Sequence, residues 1–234
     1  MDDLFNQLVS RLKTAHGDDL ISVVLHGSAV ATARAAHKSD YKLMVITKTL
    51  SAEALRQTQP VAKWWVSAGF PLPVYFTESE FNDSLDVFPI EFQQMKRAYR
   101  VLYGRDVLAG AQVSNANLRL QIEYELRGKL LRLRALYLPA SDSAEGLKKL
   151  MADSIVSFVQ FMRPILDLFG EEPPLDRRAV IQRVGGRLGL DTSALDRVLR
   201  LRSESTRLLE MEVQDLFADY ISCLTRLIAA VDKI

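Results

Sequence analysis

The sequence is poor in the residues that build rigid frameworks and soft metal sites. One cysteine, Cys223, rules out a disulfide scaffold and points to a reducing, cytoplasmic setting. Three histidines, His16, His26 and His37, give no zinc spacing with that lone thiol. No apolar run approaches the ~20 residues a membrane span needs. Charge of either sign is not in excess: 30 basic and 29 acidic side chains leave a net +1, so no bulk field attracts nucleic acid or an anionic membrane. The opening MDDLFNQLVSRLK begins acidic and reads as an amphipathic helix, unlike a secretory leader. Internal repeats and low-complexity tracts are missing. Against these absences stands a hydrophobic content of 48%, enough for a sizeable core in a chain of 234 residues.

The most informative stretch is Leu20 to Thr47, LISVVLHGSAVATARAAHKSDYKLMVIT. Ile21–Leu25 and Leu43–Ile46 are short, β-branched apolar runs of the kind that form buried strands. Between them Ala29 to Ala36 is rich in small residues and reads as a short helix. Gly27-Ser28 sits at the turn out of the first strand, and Asp40 stands at the entrance to the second. Upstream, Leu4, Leu8 and Leu12 mark a first helix. Downstream, Ser51 reads as the N-cap of a helix running toward Trp64-Trp65, with Pro60 either breaking it or starting a second piece. Leu72–Thr77 reads as a third strand and Val101–Tyr103 as a small closing strand before Gly104.

From Asn115 the pattern changes to helical periodicity. Leu118, Ile122, Leu126, Leu130, Leu133 and Tyr137 predict a long amphipathic helix stopped by Pro139, with Arg119, Glu123 and Arg127 as an i,i+4 ladder. Leu147 to Phe169 predicts a second helix containing Pro164. Asp176 to Leu188 predicts a third, interrupted at Gly185-Gly186. Asp191 reads as the N-cap of a fourth, and Leu209 to Val231 predicts a long last helix carrying Cys223 on its apolar side. The expected class is α+β: a small mixed β-sheet domain over residues 1–112, followed by an α-helical bundle over 113–234.

A strand, Gly-Ser, a short helix, and an acid opening the next strand together resemble the nucleotidyltransferase superfamily, the polymerase-β-like fold. That family carries Asp-x-Asp or Asp-x-Glu at this point. Its logic is physical. Glycine lets the backbone approach a phosphate, and the helix N-terminus offers free N–H groups. Two carboxylates at i and i+2 share one face of a strand and can hold Mg²⁺ against nucleotide phosphates. Here the motif reads Asp40-Tyr41-Lys42. The resemblance implies a phosphate site built from Gly27 and Ser28, with His26 beside it and Asp40 as the catalytic carboxylate if the chain is active. Lys42 stands where the second carboxylate belongs. An ammonium ~4 Å from a divalent ion costs ~8 kcal/mol at an effective dielectric of about 20 before relaxation.

The third family carboxylate has no acid in Leu72–Thr77. Asp86 and Glu91 are the stand-ins to examine, although Glu91 equally suits the first turn of a helix begun by Pro89, and Glu78 and Glu80 suit a helix start. The layout also resembles aminoglycoside-type nucleotidyltransferases, in which the helical domain selects the acceptor. With no histidine after residue 37, the bundle lacks the Arg-x-x-x-x-His ribonuclease motif of the helical toxins that accompany small nucleotidyltransferases.

The expected function is therefore a nucleotidyltransferase-like protein with a degenerate metal site, binding a nucleotide or a protein partner without metal-dependent transfer. Lys42 could then meet a phosphate directly. No cofactor is expected in that case. The alternative is an active enzyme moving a nucleoside monophosphate from an NTP to a small-molecule or protein hydroxyl with Mg²⁺. A homodimer through long apolar helices is a further possibility, a membrane is not expected as a partner, and the scattered arginines read as intraprotein pairs more than as a nucleic-acid surface.

Overall fold

The computed structural model describes residues 2–27, 30, 41–202 and 209–234. Ser28, Asp40 and the helix expected over Ala29–Ala36, apart from Val30, lie outside the described residues. The chain divides into two compact units, Met1–Ser114 and Asn115–Ile234.

The first unit is built on four strands: β1 (Leu20–His26), β2 (Lys42–Thr47), β3 (Val74–Thr77) and β4 (Tyr99–Gly104). Their order is β3-β2-β1-β4. β1 runs antiparallel to both β2 and β4, while β2 and β3 are parallel, so the sheet is mixed. The parallel pair needs a crossover, and helix α2 (Ala52–Ser67) supplies it. β1 and β2 are buried on both faces, which explains why they read as unbroken apolar runs. Val23, Leu25, Leu43 and Val45 pack with Leu8 and Leu12 of α1 (Asp2–His16) and with Trp65 of α2. Val24, Met44 and Ile46 form a second layer with Phe81 of α3 (Glu78–Asp83) and Phe92 of α4 (Pro89–Arg97). Of the tryptophan pair, Trp65 is buried and Trp64 half-buried.

Pro60 neither breaks nor restarts α2, which is continuous across it. The Ser51 hydroxyl caps that helix by accepting from the Ala54 N–H at 3.1 Å. Gly104 closes β4 at φ 77°, and a Cβ there would stand 1.9 Å from the Ile21 carbonyl oxygen, so only glycine fits.

The second unit contains five helices among the described residues: α5 (Asn115–Ala140), α6 (Ala144–Leu168), α7 (Arg177–Leu188), α8 (Ser193–Arg200) and α9 (Glu210–Val231). Their shared core includes Ile122, Leu126, Ile155, Val184, Leu195 and Tyr220, all buried. Three expected breaks differ. α5 runs one residue past Pro139, α7 continues through Gly185-Gly186, and α8 takes Thr192 as its capping position. Asp191 lies one residue earlier and accepts from the Ser193 N–H at 2.9 Å. Gly185 is required by crowding, since a Cβ there would meet the Thr192 side chain at 2.8 Å, whereas Gly186 faces open space. No helix among the described residues is long and apolar enough to cross a membrane.

Candidate nucleotide site at the end of the central strands

β1 ends at His26, and the chain turns away through Gly27 at φ 112°, a backbone conformation open to glycine and strained for other residues. The Gly27 carbonyl accepts from the Val30 N–H at 3.1 Å. In the β1–β2 ladder His26 stands directly opposite Lys42, and in the β1–β4 ladder it stands opposite Tyr99. Side chains alternate along a strand, so His26 shares its face with Val24, and Lys42 shares its face with Met44 and Ile46. Val24, Met44 and Ile46 belong to one core layer. His26 and Lys42 therefore lie side by side on the α3–α4 face, with Cβ atoms about 5 Å apart as cross-strand neighbours are.

The two side chains have different environments. His26 is 6% exposed, while Lys42 is exposed to solvent. The His26 Nε2 is buried and has no hydrogen-bond partner among the described residues. Burial, reinforced by the Lys42 charge, lowers its pKa to about 4. At neutral pH the pair is thus a neutral imidazole beside an ammonium. Tyr99, half-buried in the same layer, donates its hydroxyl to Asp106 Oδ2 at 3.0 Å. Asp106 Oδ1 accepts from the Leu108 and Ala109 N–H groups at 3.1 and 3.0 Å. This tyrosine–aspartate pair was not anticipated from the sequence. Its only signal is an acid just after Gly104, which any turn can carry.

The other acids weighed from the sequence have places of their own. Glu80 closes a capping box with Thr77, accepting from the Thr77 N–H at 2.8 Å, and Glu78 pairs with Arg105. Asp86 is exposed in the turn between α3 and α4, and Glu91 is exposed in the first turn of α4. Among the described residues no three His, Cys, Asp or Glu side chains gather as a metal site would require. Mg²⁺ takes oxygen ligands, preferably carboxylates. Asp40, the carboxylate the motif offers for it, lies outside the described residues.

The arginines of the helical unit are largely engaged within it. Arg127 pairs with Glu123 at 2.6 Å, Arg178 and Arg200 both reach Asp196, Arg197 reaches Asp219, and Arg202 donates to the Ala152 carbonyl.

A mixed four-stranded sheet followed by a helical bundle, with a glycine turn at the end of the first strand, is a nucleotidyltransferase-like fold. The crystal structure of a spectinomycin adenyltransferase from Enterococcus faecialis, solved with ATP and spectinomycin, is similar over 98% of both chains, with a TM-score of 0.53 and 14% sequence identity. At that identity the likeness is one of fold. No protein-family model and no curated protein matches the sequence.

Proposed function

We propose that this protein binds a nucleotide through its phosphates without metal-dependent transfer, using Lys42 as a fixed positive charge where the fold elsewhere employs a cation. The Gly27 turn at the end of β1 offers a phosphate close backbone approach, and Ser28, next in sequence, is the hydroxyl donor assigned to it in this reading. Lys42 supplies the charge, and His26, held neutral, supplies a directional N–H or lone pair at Nε2. The observation that carries this reading is the register pairing of an exposed Lys42 with a buried His26 whose Nε2 has no hydrogen-bond partner among the described residues. A hydrogen bond to a charged group is worth ~1.5–3 kcal/mol, so removing the Lys42 ammonium weakens phosphate binding about tenfold to a hundredfold.

Isothermal titration with ATP and GTP, with and without Mg²⁺, tests the proposal. The expected result is binding that survives EDTA and weakens about tenfold to a hundredfold in Lys42→Ala. Lys42→Asp restores the i, i+2 acid pair with Asp40 and is expected to convert binding to Mg²⁺ dependence. Binding by the parent only when Mg²⁺ is present would overturn this reading. It would favour the second one, supported by the whole-length fold likeness to an enzyme solved with ATP. In that reading Asp40, with Asp86 or Glu91, serves transfer of a nucleoside monophosphate to a hydroxyl.

A further inference from the structure

Helix α5 buries one side and leaves the opposite side apolar and uncovered. Leu118, Ile122, Leu126, Leu130 and Leu133 face the core of their unit. On the other side Leu120, Tyr124, Leu131 and Leu138 are 59%, 75%, 65% and 75% exposed. At 100° per residue these four, together with Gly128 and Ala135, fall within about 80° of arc. They form a straight stripe along a 26-residue helix about 39 Å long. Exposed apolar groups scattered singly need no explanation, but a contiguous stripe of this length does.

We infer that this stripe is a self-association surface on which α5 packs antiparallel against α5 of a second copy. The second copy is selected by two kinds of complementarity. The first is size. The stripe is nearly palindromic about Lys129 and Leu130, so a two-fold axis there sets Leu131 of one copy over Gly128 of the other, Tyr124 over Ala135, and Leu120 beside Leu138. Large groups meet small ones, and Gly128, where an added Cβ would touch nothing, leaves the closest approach open. A two-fold interface has to be self-complementary in this way.

The second is charge. Glu125 and Arg132 flank the same side of the stripe, and neither has an ion-pair partner among the described residues. The same axis sets Glu125 of each copy two residues, about 3 Å along the helix, from the level of Arg132 of the other, a gap these long side chains span. A parallel pairing would instead align glutamate with glutamate and arginine with arginine. Glu123 and Arg134 are disposed alike on the other flank, although Glu123 already pairs with Arg119 and Arg127 of its own helix.

The stripe from Leu120 to Leu138 is ~27 Å long, and with its flanks ~15 Å wide it buries on the order of 800 Å² over both copies, below the ~1,200 Å² at which stable specific interfaces begin. Association is therefore reversible, with a Kd of roughly 10–100 µM.

Sedimentation velocity of the full chain from ~1 to ~500 µM tests the inference. The expected result is a monomer at the low end and a dimer at the high end. Leu131→Glu, at an exposed position that leaves the core intact, is expected to raise Kd at least tenfold with an unchanged circular dichroism spectrum. Glu125→Arg and Arg132→Glu should each weaken the dimer severalfold, and the double exchange should restore it. A monomer throughout the range, a dimer indifferent to Leu131→Glu, or a double exchange as weak as either single change would each overturn it.

Discussion

Tyr220 and His26 are both buried polar side chains, one in the helical unit and one at the end of the central strands, and their surroundings differ sharply. Tyr220 is fully buried, and its hydroxyl lies 3.0 Å from Ser154 Oγ. Ser154 in turn donates to the Met151 carbonyl at 3.0 Å, so the chain of bonds is closed. His26 is nearly as buried, yet its Nε2 has no partner among the described residues. A buried polar atom without a partner costs ~1–3 kcal/mol. Within the bundle, Tyr220 and Ser154 satisfy one another. The strand end keeps the His26 Nε2 unsatisfied beside an exposed ammonium and next to a glycine turn, and it is this combination that marks a ligand-ready position.

The contrast breaks most visibly with pH. The His26 pKa falls from 6.5 unfolded to about 4 folded. Between those values the unfolded chain holds the extra proton, so stability is full above pH 6.5 and declines as pH drops toward 4. A fall from 6.5 to about 4 corresponds to a loss of about 3 kcal/mol. Urea unfolding from pH 7 to pH 4 should show that loss in the parent chain, and His26→Leu should remove about that much of the pH dependence while the carboxylates continue to contribute theirs. An unchanged pH slope in the variant would mean that His26 is not held neutral. At pH 7 the same leucine is expected to be neutral or to stabilise slightly. Tyr220→Phe should cost ~1 kcal/mol at every pH below 9, because it removes the hydrogen bond between Tyr220 and Ser154 Oγ. Equal costs for the two substitutions at pH 7 would erase the difference drawn between the two regions.

What could be seen in the sequence divides along physical lines. β1 and β2 were visible because strands buried on both faces must be apolar throughout, and few other local structures demand that. The Ser51 cap and the Arg119–Glu123–Arg127 ladder were visible because each is a local rule within one helix. Pro60 misled because a helix can absorb one missing N–H when its neighbours are packed, and Val61 and Trp65 are packed. α5 was read as amphipathic because its core stripe is regular. The second stripe, offset by half a turn, is equally regular but carries Tyr124, Gly128 and Ala135 among its leucines, and nothing local says which side faces the bundle. At the candidate site Gly27, His26 and Lys42 were legible as a motif. The burial of His26 and the Tyr99–Asp106 bond were not, because both arise from β4, more than 70 residues downstream, folding beside β1. Ser28 and Asp40, which the motif also named, lie outside the described residues.

The smallest expected effect sharpens the same comparison inside the helical unit, where adjacent glycines of α7 stand in opposite surroundings. A Cβ on Gly186 meets nothing within 4 Å, so Gly186→Ala gains helix propensity alone and should stabilise by ~0.5–1 kcal/mol. A Cβ on Gly185 meets Thr192 Cγ2 at 2.8 Å and the Leu190 carbonyl oxygen at 3.1 Å, so Gly185→Ala must push the α7–α8 connection aside. Overpacking of that kind costs ~1–3 kcal/mol, more than the propensity gain returns. Thermal melts of the two variants should therefore shift in opposite directions. If both rise, the α7–α8 turn yields readily and Gly185 is not there for close packing. If both fall, helix propensity does not control this segment, and the glycine pair marks a bend that the described backbone does not have.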